Sequence, residues 1–142
     1  MRTGQPLIAR PEWYDRNAAS QNHFWEGADT GPHADTSRRT YTVPAGKKAM
    51  VEILQATVLR TAAATTLGYM EAWWNLTPSG GTARCIIRAS IKTNTVGDRH
   101  DMAVGGSVML FAGDEIDGHT MDLSTGGTGY YFISYKITEF DV

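Results

Sequence analysis

From residue 38 to the C-terminus, apolar side chains recur at every second position, and no comparable stretch repeats at the period of a helix. A period of two sends alternate side chains to opposite faces of an extended chain. It therefore restricts this region to half-buried β-strands. Tyr41 and Val43 share one face of a first short strand. On the next strand Ala49, Val51 and Ile53 point inward, with Met50, Glu52 and Leu54 opposite. The phase slips near Leu54-Gln55, because Ala56 and Val58 continue the apolar set, and one extra residue in a strand is the mark of a β-bulge. Over 67–77, Met70, Ala72, Trp74 and Leu76 oppose Tyr69, Glu71, Trp73 and Asn75. Over 84–91, Cys85, Ile87, Ala89 and Ile91 share a face. Short strands at 102–104 and 108–111 flank Gly105-Gly106, and a weaker one spans 115–123. A long last strand at 130–140 sets Tyr131, Ile133, Tyr135 and Ile137 against Tyr130, Phe132, Ser134 and Lys136.

Turn signals separate these segments. In Pro44-Ala45-Gly46-Lys47 the proline presets φ and the glycine supplies freedom, and Pro78-Ser79-Gly80-Gly81 reads the same way. The sum is about seven or eight antiparallel strands spaced by turns, the pattern of an all-β sandwich. A single jelly-roll-like β-sandwich is the economical architecture. Composition agrees, since 17 Thr stand against four Lys and Thr favours strands while Lys favours helices.

Residues 1–37 lack either period. They carry Pro6, Pro11 and Pro32 and several Asp and Asn, yet hold two aromatic pairs, Trp13-Tyr14 and Phe24-Trp25. Disordered tails are poor in aromatics. The segment is therefore predicted to be an extended N-terminal arm over 1–37 that buries its rings against a surface, ahead of a β-sandwich domain over 38–142. That surface is its own domain, or a neighbouring subunit or larger surface; a floppy, cleavable tail is the remaining alternative.

Most chemical functions find no support. The chain of 142 residues is one domain's length. Its net charge of −2 gives no global pull toward nucleic acid or an acidic membrane surface. No run approaches the length of a membrane helix, and no apolar run follows the N-terminal charge as in a secretory signal, so the chain is expected to be made and kept in a cytoplasm. Cys85 is the only cysteine, which excludes an intrachain disulfide, and its apolar strand predicts a buried, inert thiol. His23, His33, His100 and His119 fall at no metal-ligand spacing. No nucleophile elbow, phosphate loop or dinucleotide fingerprint is present. The expectation is no enzyme, no catalytic residues, no cofactor and no metal. The acidic run Asp114, Glu115, Asp117 and Asp122 offers oxygens for calcium, but it lacks EF-hand spacing and reads first as turn chemistry.

Two further features concern surfaces. Residues 1–97 carry a balance of +4 and residues 98–142 one of −6. Such a split suits subunit contact, unless strands from the two parts interleave and mix the charges, which is the favoured reading. Trp73 and Trp74 must face opposite ways; Trp74 belongs to the core, leaving Trp73 partly exposed beside Tyr69. An exposed Trp–Tyr pair suits a subunit interface, a sugar-stacking site, or cover by the arm.

The run Tyr41-Thr42-Val43-Pro44-Ala45-Gly46-Lys47-Lys48 followed by a long apolar strand resembles the opening of small β-sandwich virion proteins of tailed bacteriophages. Val108-Met109-Leu110-Phe111-Ala112-Gly113-Asp114-Glu115-Ile116 is similar to the strand–Gly–Asp–strand element of jelly rolls in that group, and in tumour-necrosis-factor-like and complement-C1q-like trimers. The last strand, closing on Ile137-Thr138-Glu139-Phe140, resembles the ending of such phage proteins. The resemblance covers roughly residues 40–140 and leaves 1–37 unmatched. It implies a head decoration (cement) protein: a non-enzymatic homotrimer bound to the major capsid protein on the outer shell of the virion, assembled in the host cytoplasm, with neither nucleic acid nor membrane as partner. Candidate interface residues are Trp13, Tyr14, Phe24 and Trp25 on the arm and Tyr69 and Trp73 on the domain. The alternatives are a phage tail or fibre module, and a carbohydrate-binding module using the exposed aromatics.

Overall fold

The computed structural model of the protein describes residues 19–142. Eight strands occur there: β1 (Ala19–Thr30), β2 (His33–Thr42), β3 (Lys47–Ala62), β4 (Met70–Thr77), β5 (Arg84–Ile91), β6 (Arg99–Phe111), β7 (Glu115–Asp122) and β8 (Thr128–Asp141). They form two four-stranded sheets, β1-β8-β3-β6 and β2-β7-β4-β5. Every pairing is antiparallel. Every connection except β4–β5 crosses from one sheet to the other. This is the winding of a jelly-roll-like sandwich, as the alternation predicts.

The core lies between the sheets. Val51, Leu54, Val58, Ile133 and Ile137 from one sheet meet Met70, Trp74, Ile87 and Ile116 from the other. Each such side chain contributes about 1.5–3 kcal/mol on burial. Trp74 is the largest fully buried side chain. Its indole N–H donates to the Gln55 carbonyl at 3.0 Å, so the ring leaves no donor unsatisfied. The edge of Trp74 meets Tyr135 at 4.7 Å. Opposite it stands Gly118, where a Cβ would lie 2.7 Å from the indole and 2.4 Å from Ile133. A glycine in the middle of β7 is the space Trp74 occupies.

The bulge expected near Leu54 is present. Between Glu52 and Gln55, β3 carries one residue more than β8; the extra residue precedes Leu54, so Leu54, expected on the outward face, joins Val51 and Ala56 in the core. The segments at 102–104 and 108–111 join into one strand, β6. Gly105-Gly106 is a bulge there and not a break: between Ser107 and Val104 the strand has one residue more than β3 opposite. Gly106 takes φ +102°, a left-handed value only glycine adopts at little cost.

The arm boundary moves. Residues 19–37, expected outside the domain, form β1 and the first half of β2. β1 pairs with β8 without interruption from Ala19 opposite Glu139 to Thr30 opposite Thr128. Trp25, Asp29, Arg38 and Tyr41 lie half-buried, and His23 is buried among them. Residues 1–18, including Trp13 and Tyr14, lie outside the described residues.

The two charge halves interleave, since β8 and β6 of the acidic part alternate with β1 and β3, and β7 separates β2 from β4. At the end of the sandwich where β7 turns into β8, Arg60 and Asp122 are wholly buried, with Nη1 to Oδ2 at 3.3 Å. Arg60 also donates to the Ser124 hydroxyl and the Thr93 carbonyl. Ser124 in turn bonds both backbone groups of Gly68. One guanidinium thus ties together three connections. Removing it would leave a buried unpaired carboxylate, at a cost of about 3–5 kcal/mol.

Candidate interaction surface

The predicted interface residues do not form one patch. Phe24 projects from the outer face of β1 and is 55% exposed. Its neighbour Trp25 points inward, because adjacent strand residues face opposite ways. There Trp25 packs on the core, with the Arg38 guanidinium 4.5 Å from its ring centre. Tyr69, just ahead of β4, is half exposed and has the Lys92 ammonium over its ring at 5.4 Å.

Trp73 differs from expectation. It faces outward on β4, yet only 5% of it is exposed. His119 of β7 stacks on it, with ring centres 5.2 Å apart and planes 10° from parallel. Arg88 of β5 lies over the ring at 4.9 Å and pairs with Glu71 at 3.3 Å. His119 is itself held from both sides, by Asp35 at 2.6 Å and Asp117 at 2.8 Å. A ladder of Asp35, His119, Trp73, Arg88 and Glu71 therefore crosses the outer face of this sheet. The alternation reveals which way Trp73 points. It does not reveal its cover, which comes from strands distant in sequence.

The acidic run resolves into separate roles. Asp114 caps the turn after β6 by accepting from the backbone N–H groups of Ser79 and Phe111. Asp117 accepts from Ser37 and Thr40. Asp122 holds Arg60. Among the described residues no cluster of three or more His, Cys, Asp or Glu is arranged to hold a metal ion. Cys85 is exposed rather than buried. A bulge between Trp74 and Asn75 inserts one residue into β5, and Cys85 lies beyond it.

The outer face of the other sheet is less covered. Asn22, Phe24 and Glu26 of β1 and Phe132, Ser134 and Lys136 of β8 line a shallow groove of ≈ 380 Å³. Phe24 pairs with Ser134 and Glu26 with Phe132, so the two phenyl rings are diagonal neighbours across the strand pair. Lys136 and Glu52 stand 3.8 Å apart beside them. Apolar rings with charged groups around them are the composition of a protein-binding patch. Phe132 and Lys136 are visible in the sequence as the outward set of β8, but their meeting with Phe24 depends on β1 being a strand.

Titratable groups also gather where β1 and β2 face each other. His23 stacks on Tyr135 at 5.0 Å. Its Nδ1 lies 3.1 Å from Arg39, which can only donate, so the ring is neutral with its proton on Nε2, aimed at Gln21. Burial, then the nearby Arg39, lowers the His23 pKa, with Glu139 opposing. Tyr41 donates to Glu139 at 2.7 Å, and burial followed by that bond pushes its hydroxyl pKa up. These groups satisfy one another inside the sandwich.

No protein-family model matches the sequence, and neither does any curated protein. Solved structures of similar shape include one of the infectious bursal disease virus Gx strain, at 9% identity and TM-score 0.45, covering 89% of this chain and 32% of that one. The present chain thus spans about a third of that viral protein. Another is Eiger TNF from S. frugiperda, at 13% identity and TM-score 0.45, covering 88% and 93%. A third is a chain of the cyanophage Pam1 capsid asymmetric unit, at 14% identity and TM-score 0.37, covering 97% and 96%.

Proposed function

We propose that the protein is a non-enzymatic structural component of a virion, a decoration protein that binds the major capsid protein on the outer shell as a trimer. The observation that carries this reading is the groove at Phe24 and Phe132. It offers two neighbouring phenyl rings within a charged surround on the outer face of a four-stranded sheet. A protein that works by contact needs such a face. Trimerisation multiplies a modest contact by avidity. In this reading the N-terminal arm stabilises the shell by joining neighbouring copies bound on it.

A sugar-binding reading has less support, because His119 and Arg88 already occupy the ring of Trp73. The decisive experiment heats empty capsid shells with and without the full chain. The wild type raises the temperature of shell disruption, and Phe24→Asp removes most of that gain while keeping its own fold. Equal protection by both proteins would remove the face from the account, and protection by neither would remove the function.

A further inference from the structure

The sandwich has a second, different opening where the edges of its sheets face each other at β5 and β6. Among the described residues β6 pairs with β3 alone and β5 with β4 alone, so both strands present an unpaired backbone edge. A groove of ≈ 280 Å³ runs between them. Core residues Val51 and Leu54 form part of its lining, with Leu76, Ile86, Val104 and Val108 beside them. Ile86, Val104 and Val108 are each more than a third exposed. None of the lining side chains is charged. At Gly105 and Gly106 an added Cβ would meet nothing within 4 Å, so no side chain guards the strand. Long apolar edges are normally blunted by charge, proline or cover. Along 103–108 this one has none of the three, and the bulge at Gly105-Gly106, a further device that blunts edges, still leaves the apolar groove uncovered.

We propose that this edge receives an extended segment from the N-terminal 18 residues of a second copy of the chain, added as a strand beside β6. The inference deepens the trimer reading and rests on it. The missing cover must be apolar and extended, because the groove has no charge to attract a polar ligand and the edge offers a row of backbone groups. Residues 1–18 supply Leu7-Ile8-Ala9 and Trp13-Tyr14.

Reach and direction select the donor. Ala19 stands in one row with Glu139, Ala49 and Leu110, so the segment leaves β1 level with the C-terminal end of β6. Three strand spacings, about 14 Å, separate the two edges, and 18 extended residues span up to about 60 Å. The chain's own segment would arrive running parallel to β6, since β1 and β3 run together and β6 runs against them. Every other pairing in the molecule is antiparallel, the more stable ladder. A second copy can supply an antiparallel strand. A donor segment on one copy and an acceptor groove on the next form a heterologous contact, which gives a ring where the rotation between copies closes.

The test combines light scattering with amide hydrogen exchange on the full-length chain and on Val104→Lys, which places a charge on the edge at an already exposed position. Support is a wild type of three chain masses with slowly exchanging amides over 103–108, and a Val104→Lys variant of one chain mass whose amides there exchange fast. A wild-type trimer with fast exchange over 103–108 would leave the trimer and overturn the groove. A monomer with slow exchange would mean the chain fills its own groove, overturning the second copy. A monomer with fast exchange would overturn both.

Discussion

The two lateral openings of the sandwich are closed by opposite means. Between β1 and β2 the interior is polar and aromatic. Arg38 reaches the Asp29 carboxylate, the Thr120 hydroxyl and the Trp25 ring, while Tyr41 bonds Glu139 and His23 stacks on Tyr135. Between β5 and β6 the interior is aliphatic and the edge stays open. Polar groups inside a fold need fixed partners, so the first side is complete in a single chain. Aliphatic groups need only cover, and the second side has it only in part. One side therefore closes within a single chain, and the other leaves aliphatic surface to be covered.

Of the two openings, the sealed one should give the larger effect when broken. Arg38→Met loses an ion pair, a hydroxyl bond and the stacking on Trp25 together, and should lower unfolding free energy by about 2–4 kcal/mol in urea titrations. A change under 1 kcal/mol would mean that this network is ornamental. Tyr41→Phe removes a single bond and leaves Glu139 half-buried, for about 1–2 kcal/mol by the same titration.

The pH response sharpens the contrast further. Because folding lowers the His23 pKa, the folded state binds fewer protons than the unfolded one below the usual histidine range. That contribution is complete above the unfolded pKa of about 6.5 and is lost as pH falls through the lower folded value. Melting curves of the wild type should drop between pH 7 and 5 by more than those of His23→Gln, and equal slopes would place the acid sensitivity elsewhere. Val104→Lys, on the open side, should shift stability least, within about 0.5 kcal/mol, when both proteins are diluted until they are monomeric, because a lysine at an exposed position then meets solvent.

The same contrast explains what was legible in the sequence. β3, β4 and β8 alternate apolar with polar, so these strands, the presence of a bulge near Leu54 and the inward set of β8 could be read directly. β1 alternates too, while two irregularities break the period of β2, and the inward positions of the pair carry His23, Trp25, Gly27, Asp29 and Arg38. Hydrophobicity has no signal there, since the interior is held by hydrogen bonds and stacking. The same gap hid Arg60 and Asp122, two charges that meet only when separate connections fold together. Gly105-Gly106 reads as a break because a bulge and a turn use the same residues. Of the six candidate interface residues, Phe24 and Tyr69 are exposed, Trp25 and Trp73 are packed, and Trp13 and Tyr14 lie outside the described residues.

Attachment to a shell is decided by co-sedimentation of the full-length chain with empty capsid shells. The chain should pellet with the shells to saturation in multiples of three copies per site, and Phe24→Asp should stay in the supernatant. A wild type that remains in the supernatant at concentrations well above those of assembly would contradict it.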